Sequence, residues 1–296
     1  MRSILSLLLM ACALVVLTPA CFIGGGQAQA QQARPVIPNF WDPQERFIKP
    51  NTRTLPRLRF LTTTDFPPFS FIDEDKRLVG FHVDLARAIC EELEVLPVCQ
   101  IQALPFEELQ SALSGGRGDL ALAGIAITQQ NRRSLAFSRP YFHLPARFVT
   151  RRGAPYREPL VRALVKKQVG VVDGSAHAAY ARAHFGQLYV RVFETRDGAL
   201  NALKKEQIEA VFDDGLALSF WLQAEEKRAQ QLKQKNCCAF AGGPYLSQTY
   251  FGRGLAVAMV KGNFELESAI NFALRSINDK GRFAELYLRY FPIGLF

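Results

Sequence analysis

The chain has 296 residues, of which 49% are apolar and 21% are charged. This balance is ordinary for a soluble globular protein and excludes disorder over most of the chain. The formal net charge is +9, but the basic residues are scattered along the sequence rather than clustered. The excess therefore predicts a solvated basic surface and no nucleic-acid partner.

The N-terminus has the pattern of a signal peptide. Arg2 precedes an almost wholly apolar run from Ile4 to Leu17, and residues 28–30 have the small-x-small pattern of a cleavage site. The run is too short for a comfortable membrane span, which needs about 20 residues. We expect residues 1–30 to be removed during export. An uncleaved anchor and a lipoprotein anchor at Cys21 are the alternatives.

Four cysteines follow the expected leader: Cys90, Cys99, Cys237 and Cys238. Export places them in an oxidising compartment. Cys90 falls near the end of a predicted helix and Cys99 at the start of the next strand. A bridge between them would stabilise the fold by roughly 2–3 kcal/mol, with two free thiols as the alternative, while the adjacent pair stays unassigned. The lack of a CxxC pair and of paired histidines predicts no metal and no cofactor.

Strands and helices alternate along the first half of the sequence. Residues 31–54 contain four prolines and predict an extended arm before the domain. The elements predicted next are a strand at 57–63, a helix at 83–93, a strand at 98–103, a helix at 106–113 and a buried strand at 119–123. This alternation predicts right-handed βαβ units.

The same alternation recurs in the second half. The predicted elements are strands at 168–172, 189–193 and 208–212 and helices at 176–184 and 197–205. The recurrence predicts two similar α/β lobes. A strand at 254–260 and helices at 264–277 and 282–290 follow, and composition alone leaves open which lobe they complete.

Four ordered stretches resemble a known family. They are Phe66 to Phe71 with Leu78 to Ala86, Gly118 to Thr128 with Leu135 to Tyr141, Val169 to Ser175, and Gly281 to Phe291. Together they resemble the extracellular solute-binding proteins for polar amino acids. The resemblance implies an α/β fold of two Rossmann-like lobes joined by a two-strand hinge, the type II periplasmic binding protein-like fold. It also implies a monomeric periplasmic protein that delivers a small polar ligand to the membrane permease of an ABC importer.

The resemblance also implies lobe boundaries. Lobe 1 would be residues 55–143 plus 251–296, lobe 2 would be 144–250, and the hinge strands would lie near 142–146 and 251–254. Cys90 and Cys99 lie where some relatives have a lobe-1 disulfide, which favours the bridge over free thiols.

The lobe-1 candidates for ligand binding are two aromatic residues and one loop. Phe66, with Phe69 beside it, lies where relatives pack an aromatic ring on the ligand, and such a face suits an apolar body or an ammonium group. Gly124, Ala126 and Thr128 follow a buried strand, and we expect Thr128 to cap a helix whose free N–H groups bind an anion. Relatives have small hydroxyl residues here, so this chain keeps only the backbone donors.

Asn131 is the sharpest departure from the family. Relatives carry an arginine at this position, and it holds the α-carboxylate of the ligand in a bidentate pair. Arg132 and Arg133 follow, but one helical step turns a side chain by about 100°. Only a one-residue shift would bring Arg132 to the site, so we expect a weaker demand for a carboxylate.

The lobe-2 candidates are Ser175, His177 and Asp214. Ser175 belongs to a second donor turn, and His177 either contacts the ligand or covers the rim of the site. Asp214 lies where relatives bind the α-amino group, with a helix-capping acid as the alternative. Strand alternation turns Asp213 away. The retained carboxylate predicts an amino acid or an amine-bearing derivative as the ligand.

Two rival functions stay open. Asp213, Asp214 and His177 could share acid/base work if the fold has been recruited for catalysis, for example in a periplasmic dehydratase. The sequence has no GxSxG, HExxH or P-loop pattern, so we expect no enzyme. A docking protein with a degenerate ligand site is the second rival, because the arginine is missing and a proline-rich arm precedes the domain.

Overall fold

A computed structural model describes residues 42, 44–51, 56–291 and 293–296. The predicted signal peptide at 1–30 and most of the predicted arm at 31–54 lie outside the described residues. Within the described ranges no helix is long and apolar enough to cross a membrane. In the same ranges no group of three or more histidine, cysteine, aspartate or glutamate side chains is arranged to hold a metal ion.

The strands and helices alternate as expected. The strands are β1 (Leu58–Thr62), β2 (Asp65–Phe66), β3 (Ser70–Ile72), β4 (Leu78–Val79), β5 (Cys99–Ala103), β6 (Leu120–Ala121), β7 (Leu135–Phe137), β8 (Ala146–Arg151), β9 (Gln168–Val172), β10 (Tyr189–Phe193), β11 (Ala210–Asp214), β12 (Cys238–Tyr245) and β13 (Ala258–Val260). The helices are α1 (Phe81–Glu92), α2 (Leu109–Ser114), α3 (Leu160–Ala163), α4 (Ala176–His184), α5 (Arg196–Lys204), α6 (Gly215–Gln231), α7 (Gln248–Phe251), α8 (Phe264–Asp279) and α9 (Arg282–Tyr290).

The first five-stranded sheet has the order β5-β1-β6-β13-β7. β1 is parallel to β5 and β6, whereas β13 is antiparallel to β6 and β7. Leu58, Phe60 and Leu61 of β1 are buried, as expected for a central strand covered on both faces. Because β13 joins this sheet and α8 and α9 pack against α1, the C-terminal elements return to the first sheet.

The second five-stranded sheet has the order β10-β9-β11-β8-β12. β9 is parallel to β10 and β11, and β8 is antiparallel to β11 and β12. Phe148 and Phe212 meet in its core with ring centroids 4.7 Å apart. The parallel pairs in both sheets confirm the predicted α/β class and its βαβ organisation.

Two segments run between the sheets, residues 138–145 from β7 to β8 and residues 246–257 from β12 to β13. They meet where Phe142 and Leu255 form an isolated antiparallel bridge. Gly254 has φ +92°, and a Cβ atom there would lie 2.5 Å from the carbonyl oxygen of Phe142. Only glycine permits this close approach, so the two segments can pass side by side.

The described part of the predicted arm, residues 42 and 44–51, forms neither helix nor strand. Arg275 Nη1 donates a hydrogen bond to the carbonyl oxygen of Asp42 at 2.7 Å. Lys49 Nζ lies 2.5 Å from Glu94 Oε1. These contacts hold the arm against α8 and the end of α1.

Both cysteine pairs form disulfides. Cys90 at the end of α1 and Cys99 at the start of β5 are bonded, with Cα atoms 6.2 Å apart, which confirms the predicted bridge. Cys237 and Cys238 are bonded to each other at the start of β12. The sequence left the state of this second pair open because adjacency alone does not decide it.

Candidate ligand-binding site

The candidate residues lie at the carboxyl ends of parallel strands. Phe66 and Gly124 follow β1 and β6 of the first sheet, and Ser175 and Asp214 lie at the ends of β9 and β11 of the second. Open α/β sheets bind ligands beyond this edge, where loops and helix starts expose polar groups. We name these groups the first half-site (Phe66, Gly124, Ala126, Thr128, Asn131) and the second half-site (Ser175, His177, Asp214).

Phe66 lies directly against the backbone of Gly124. Gly124 has φ +73°, and a Cβ atom there would lie 3.0 Å from Phe66 Cε1. The Phe66 ring also stacks on Phe69 with centroids 4.7 Å apart. The structure therefore brings Phe66 and Gly124 together, and glycine is needed at 124 both for its dihedral angle and for this contact.

Phe69 does not line the site, because its side chain is fully buried in the core. Its ring lies 4.8 Å from the ring of His82, which is also buried. His82 Nε2 lies 2.8 Å from the hydroxyl oxygen of Tyr141. The expected ligand contact of Phe69 is thus corrected to a supporting role, in which it backs the half-buried Phe66 ring.

The helix expected after Thr128 does not form. A single 3₁₀ turn, Asn131–Arg133, precedes β7. Thr128 Oγ1 accepts a hydrogen bond from the backbone N–H of Asn131 at 3.1 Å, and Asn131 Nδ2 donates to the carbonyl oxygen of Ala126 at 2.8 Å. These local side-chain bonds compete with helix formation. The predicted helix start is therefore wrong, whereas binding of an anion by this loop, in which Ala126 and Thr128 are exposed, stays a prediction.

Two arginines follow Asn131 in this loop. The Asn131 amide is used within the loop. The Arg132 guanidinium lies over the ring of Phe137, 5.6 Å from its centroid, and Arg133 is exposed. The first half-site therefore offers an aromatic ring and backbone groups, but no positively charged side chain among its members.

Ser175 caps α4 in the second half-site. Its hydroxyl accepts a hydrogen bond from the backbone N–H of Ala178 at 3.0 Å and donates one to the carbonyl oxygen of Val172 at 2.7 Å. The hydroxyl proton is thus already used in the hydrogen bond to Val172. Ser175 can offer a ligand only a remaining lone pair, so its expected role as a donor belongs to the backbone alone.

Asp214 caps α6, as the helix-capping alternative predicts. Its Oδ1 accepts a hydrogen bond from the backbone N–H of Ala217 at 2.8 Å. No other described residue bonds its side chain, so Oδ2 keeps its lone pairs. Burial raises the pKa of Asp214, and the Ala217 N–H opposes that shift.

Asp213, which strand alternation turns away from the ligand, supports the second half-site from behind. Its side chain is 2% exposed, yet it is not isolated from the site. Arg196 Nε donates to Oδ2 at 2.5 Å, the backbone N–H of Asp214 donates to Oδ1 at 2.8 Å, and His177 Nδ1 lies 3.2 Å from Oδ1. The adjacent acids Asp213 and Asp214 were the only feature of the sequence that pointed to this group. Arg196 comes from α5 and is 17 residues away in the sequence, so no local pattern links it to Asp213.

Comparison with known proteins decides the family. The family described as bacterial extracellular solute-binding proteins, family 3, matches residues 58–293. The chain belongs to this family. An L-arginine-binding protein of Pseudomonas aeruginosa is 30% identical over 234 residues, which cover 78% of this chain and 86% of the relative. A lysine/arginine/ornithine-binding periplasmic protein of Escherichia coli is 29% identical over 241 residues, covering 81% of this chain and 89% of the relative.

Solved structures agree on the fold of this solute-binding protein. The L-cystine solute receptor of Neisseria gonorrhoeae, in its unliganded open conformation, aligns with a TM-score of 0.67 and 16% identity. The alignment covers 81% of this chain and 94% of the receptor. The likeness confirms the two-lobed α/β architecture that the sequence predicted.

Charge is unevenly distributed in this solute-binding protein. The second half-site and its supports hold two carboxylates, Asp213 and Asp214, against one permanent cation, Arg196. Burial lowers the pKa of His177, while the two carboxylates oppose that shift, so the neutral ring is favoured. The second half-site therefore carries a net negative charge, which attracts a cation.

Proposed function

We propose that this protein captures a small amine-bearing solute between the two half-sites and delivers it to the membrane permease of an ABC importer. The ligand would be a cationic amino acid or a derivative of one. Asp214 Oδ2 would accept the ammonium group, and the ring of Phe66 would pack on the ligand. The names of the arginine-binding and lysine/arginine/ornithine-binding relatives support a cationic ligand.

One observation carries the proposed preference for the amine over the carboxylate. The Asn131 amide donates to the Ala126 carbonyl oxygen, at the position where relatives hold the carboxylate with arginine. Arg132 packs on Phe137 instead. A carboxylate would therefore gain only backbone donors in the first half-site, whereas an ammonium group would meet the half-buried carboxylate of Asp214 in the second.

Closure of two lobes would complete the site. We propose lobes of residues 55–143 plus 251–296 and of residues 144–250, which rotate about the segments that meet at the bridge between Phe142 and Leu255. Hinge motion of this kind encloses a ligand and excludes water. The close packing of the two segments at Gly254 supports this position for the hinge.

Matched pairs of ligands test the proposal. Isothermal titration would compare L-arginine with agmatine, and L-lysine with cadaverine, since each pair differs only in the α-carboxylate. We expect both members of a pair to bind within about tenfold of each other, because no charged clamp is lost. A preference of about a hundredfold or more for the amino acid would contradict the proposal.

Variants locate the ligand within the site. Asp214→Asn is expected to weaken binding of both members of a pair by about tenfold or more, since a charge-assisted bond is lost. Glu226→Gln is the matched control, because Glu226 is an exposed acid on α6. Equal affinities of Asp214→Asn and the wild-type protein would place the ligand elsewhere.

Export and delivery follow from the same proposal. The family relatives include periplasmic proteins, and we propose that this chain is exported through a cleaved leader at 1–30 and acts as a monomer. Mass spectrometry of the periplasmic fraction would show a mature N-terminus near Gln31. We also propose that the ligand is not turned over, so the solute should be recovered unchanged after incubation.

A further inference from the structure

Asp213 is a buried carboxylate that serves two members of the second half-site. Its Oδ1 accepts the backbone N–H of Asp214 at 2.8 Å and lies 3.2 Å from His177 Nδ1. Its Oδ2 accepts Arg196 Nε at 2.5 Å. We propose that Asp213, held by Arg196, is a positioning residue that fixes His177 and Asp214 so that both present only hydrogen-bond acceptors to the ligand. This inference rests on the proposed function, whose site it completes.

The burial of Asp213 makes its partners necessary. The side chain is 2% exposed, and an unpaired charge at such a site is strongly unfavourable. Arg196 supplies the opposite charge from the first turn of α5, and its own pKa is raised by the hydrogen bond to Asp213. The pair thus tethers α5 to the carboxyl end of β11, where Asp214 begins the next helix.

The His177 ring is held from two sides. Its Nδ1 edge lies beside Asp213, and its face stacks on Phe251 with centroids 5.0 Å apart and an interplanar angle of 17°. Phe251 ends α7, immediately before the chain crosses to the first sheet. The ring keeps 15% of its side-chain surface exposed, and no described residue bonds its Nε2.

The position of Asp213 selects the tautomer of His177. A lone pair on Nδ1 would face a carboxylate oxygen at 3.2 Å, and the two would repel each other. The proton of the neutral ring is therefore favoured on Nδ1, which leaves a lone pair on Nε2. Asp214 Oδ2 is likewise an acceptor, so the ligand must bring at least two donors, as an ammonium or guanidinium group does.

The charged groups around His177 set its response to pH. Asp213 and Asp214 come from β11 and Arg196 from α5, while α7 contributes only the uncharged ring of Phe251. Protonation of Nε2 would turn the acceptor into a donor and add a positive charge beside a cationic ligand. Affinity for a cation should therefore fall as the pH falls below the ordinary histidine range, with a midpoint below about 6.5.

Nitrogen-detected NMR of the four histidines tests the tautomer directly, with His177→Gln to assign the signal. We expect the proton of His177 on Nδ1 in the wild-type protein, and a shift toward the Nε2–H form in Asp213→Asn. A wild-type ring protonated on Nε2 would overturn the inference. This measurement needs no ligand, so it stands even if neither L-arginine nor agmatine binds and the proposed function fails.

Affinity supplies the second readout, with agmatine as the probe. Asp213→Asn and Arg196→Gln should each weaken binding by about tenfold or more, and the first should also change the pH profile. Arg191→Gln is the control, since the Arg191 side chain lies over Phe193 on the exposed edge strand β10. Should Asp213→Asn fail to fold, the agmatine affinity of Arg196→Gln and the His177 tautomer of the wild-type protein still test the inference. Wild-type affinity and tautomer in Arg196→Gln would rule out its positioning role.

Discussion

Arg147 on β8 donates a hydrogen bond from Nη1 to the carbonyl oxygen of Leu295 at 2.8 Å. Leu295 is fully buried in the core of the first sheet, and its N–H donates to the hydroxyl oxygen of Tyr287 at 3.0 Å. Ile293 packs against the core of the second sheet. The C-terminal tail, residues 293–296, is therefore a third connection between the two sheets, beside the two crossing segments.

This connection predicts energetic coupling between Arg147 and the tail. Arg147→Met should lower the free energy of unfolding by about 1–2 kcal/mol, because the Leu295 carbonyl loses its partner and the contact of Arg147 with the Phe240 ring at 4.6 Å is lost. Removal of the tail from Ile293 onward should also destabilise. In a double-mutant cycle, the loss of unfolding free energy in the double variant should be about 1 kcal/mol smaller than the sum of the two single losses.

Guanidinium-induced unfolding of the four proteins in the cycle measures this coupling. Arg133→Met is the matched control, because Arg133 is exposed and should change stability by less than about 0.5 kcal/mol. Strict additivity of Arg147→Met and the tail deletion would show that the hydrogen bond does not couple the two sheets.

The disulfide between Cys90 and Cys99 gives a second stability prediction. The paired substitution Cys90→Ala with Cys99→Ala should cost roughly 2–3 kcal/mol, because the bridge closes a loop of sequence separation 9 and restricts the unfolded chain. Thermal unfolding with and without reductant measures the loss. The double variant should no longer respond to reductant at this site, and an equal response in both proteins would assign the effect to the pair Cys237–Cys238.

The regular elements of this fold could be predicted because local patterns determine them. The helix at 176–184 and the strands at 168–172 and 189–193 were predicted with the bounds that the structure shows. The long helix α6 and the antiparallel strand β8 were missed. Both are positioned by contacts between distant segments, such as the pairing of β8 with β11 and β12, which no local period reveals.

The site was less predictable than the fold. Family position named Phe66, Gly124 and Asp214 as candidates, and the structure then places Phe66 against Gly124 and Asp214 at the end of β11. Family position did not show that Phe69 would be buried, since that depends on the core formed around it. Strand alternation turned Asp213 away from the ligand but did not show its pairing with Arg196, because alternation describes a side chain's face and not the charges that reach it from α5.

His82 predicts a pH dependence of stability. Burial lowers its pKa to about 3, below the usual value of about 6.5 for an unfolded chain. The unfolded state therefore binds more protons between these values, and stability is lost as the pH falls from about 6.5 toward 3, by about 1.4 kcal/mol per pH unit. Denaturation at a series of pH values from about 7.5 to 5 measures the slope.

His82→Gln removes the titrating ring while keeping an acceptor for the Tyr141 hydroxyl. This variant should be less stable at neutral pH but should lose less stability on acidification. His143→Gln is the control. Burial also lowers the pKa of His143, but that side chain is less buried than His82, so its replacement should change the slope less. A slope in His82→Gln as steep as in the wild-type protein would mean that His82 is protonated alike in the folded and unfolded states.

Asn131→Arg tests whether an arginine at residue 131 would bind the carboxylate of the ligand. The new guanidinium would stand at the position that relatives use, and a bidentate pair with a carboxylate is stronger than neutral bonds. We expect affinity for L-arginine to rise by about tenfold relative to agmatine, measured by titration of both. Gln130→Arg, one residue earlier and exposed, should leave the ratio unchanged. An equal gain for both ligands would mean that the loop held by Asn131 and Ala126 does not direct residue 131 toward the carboxylate.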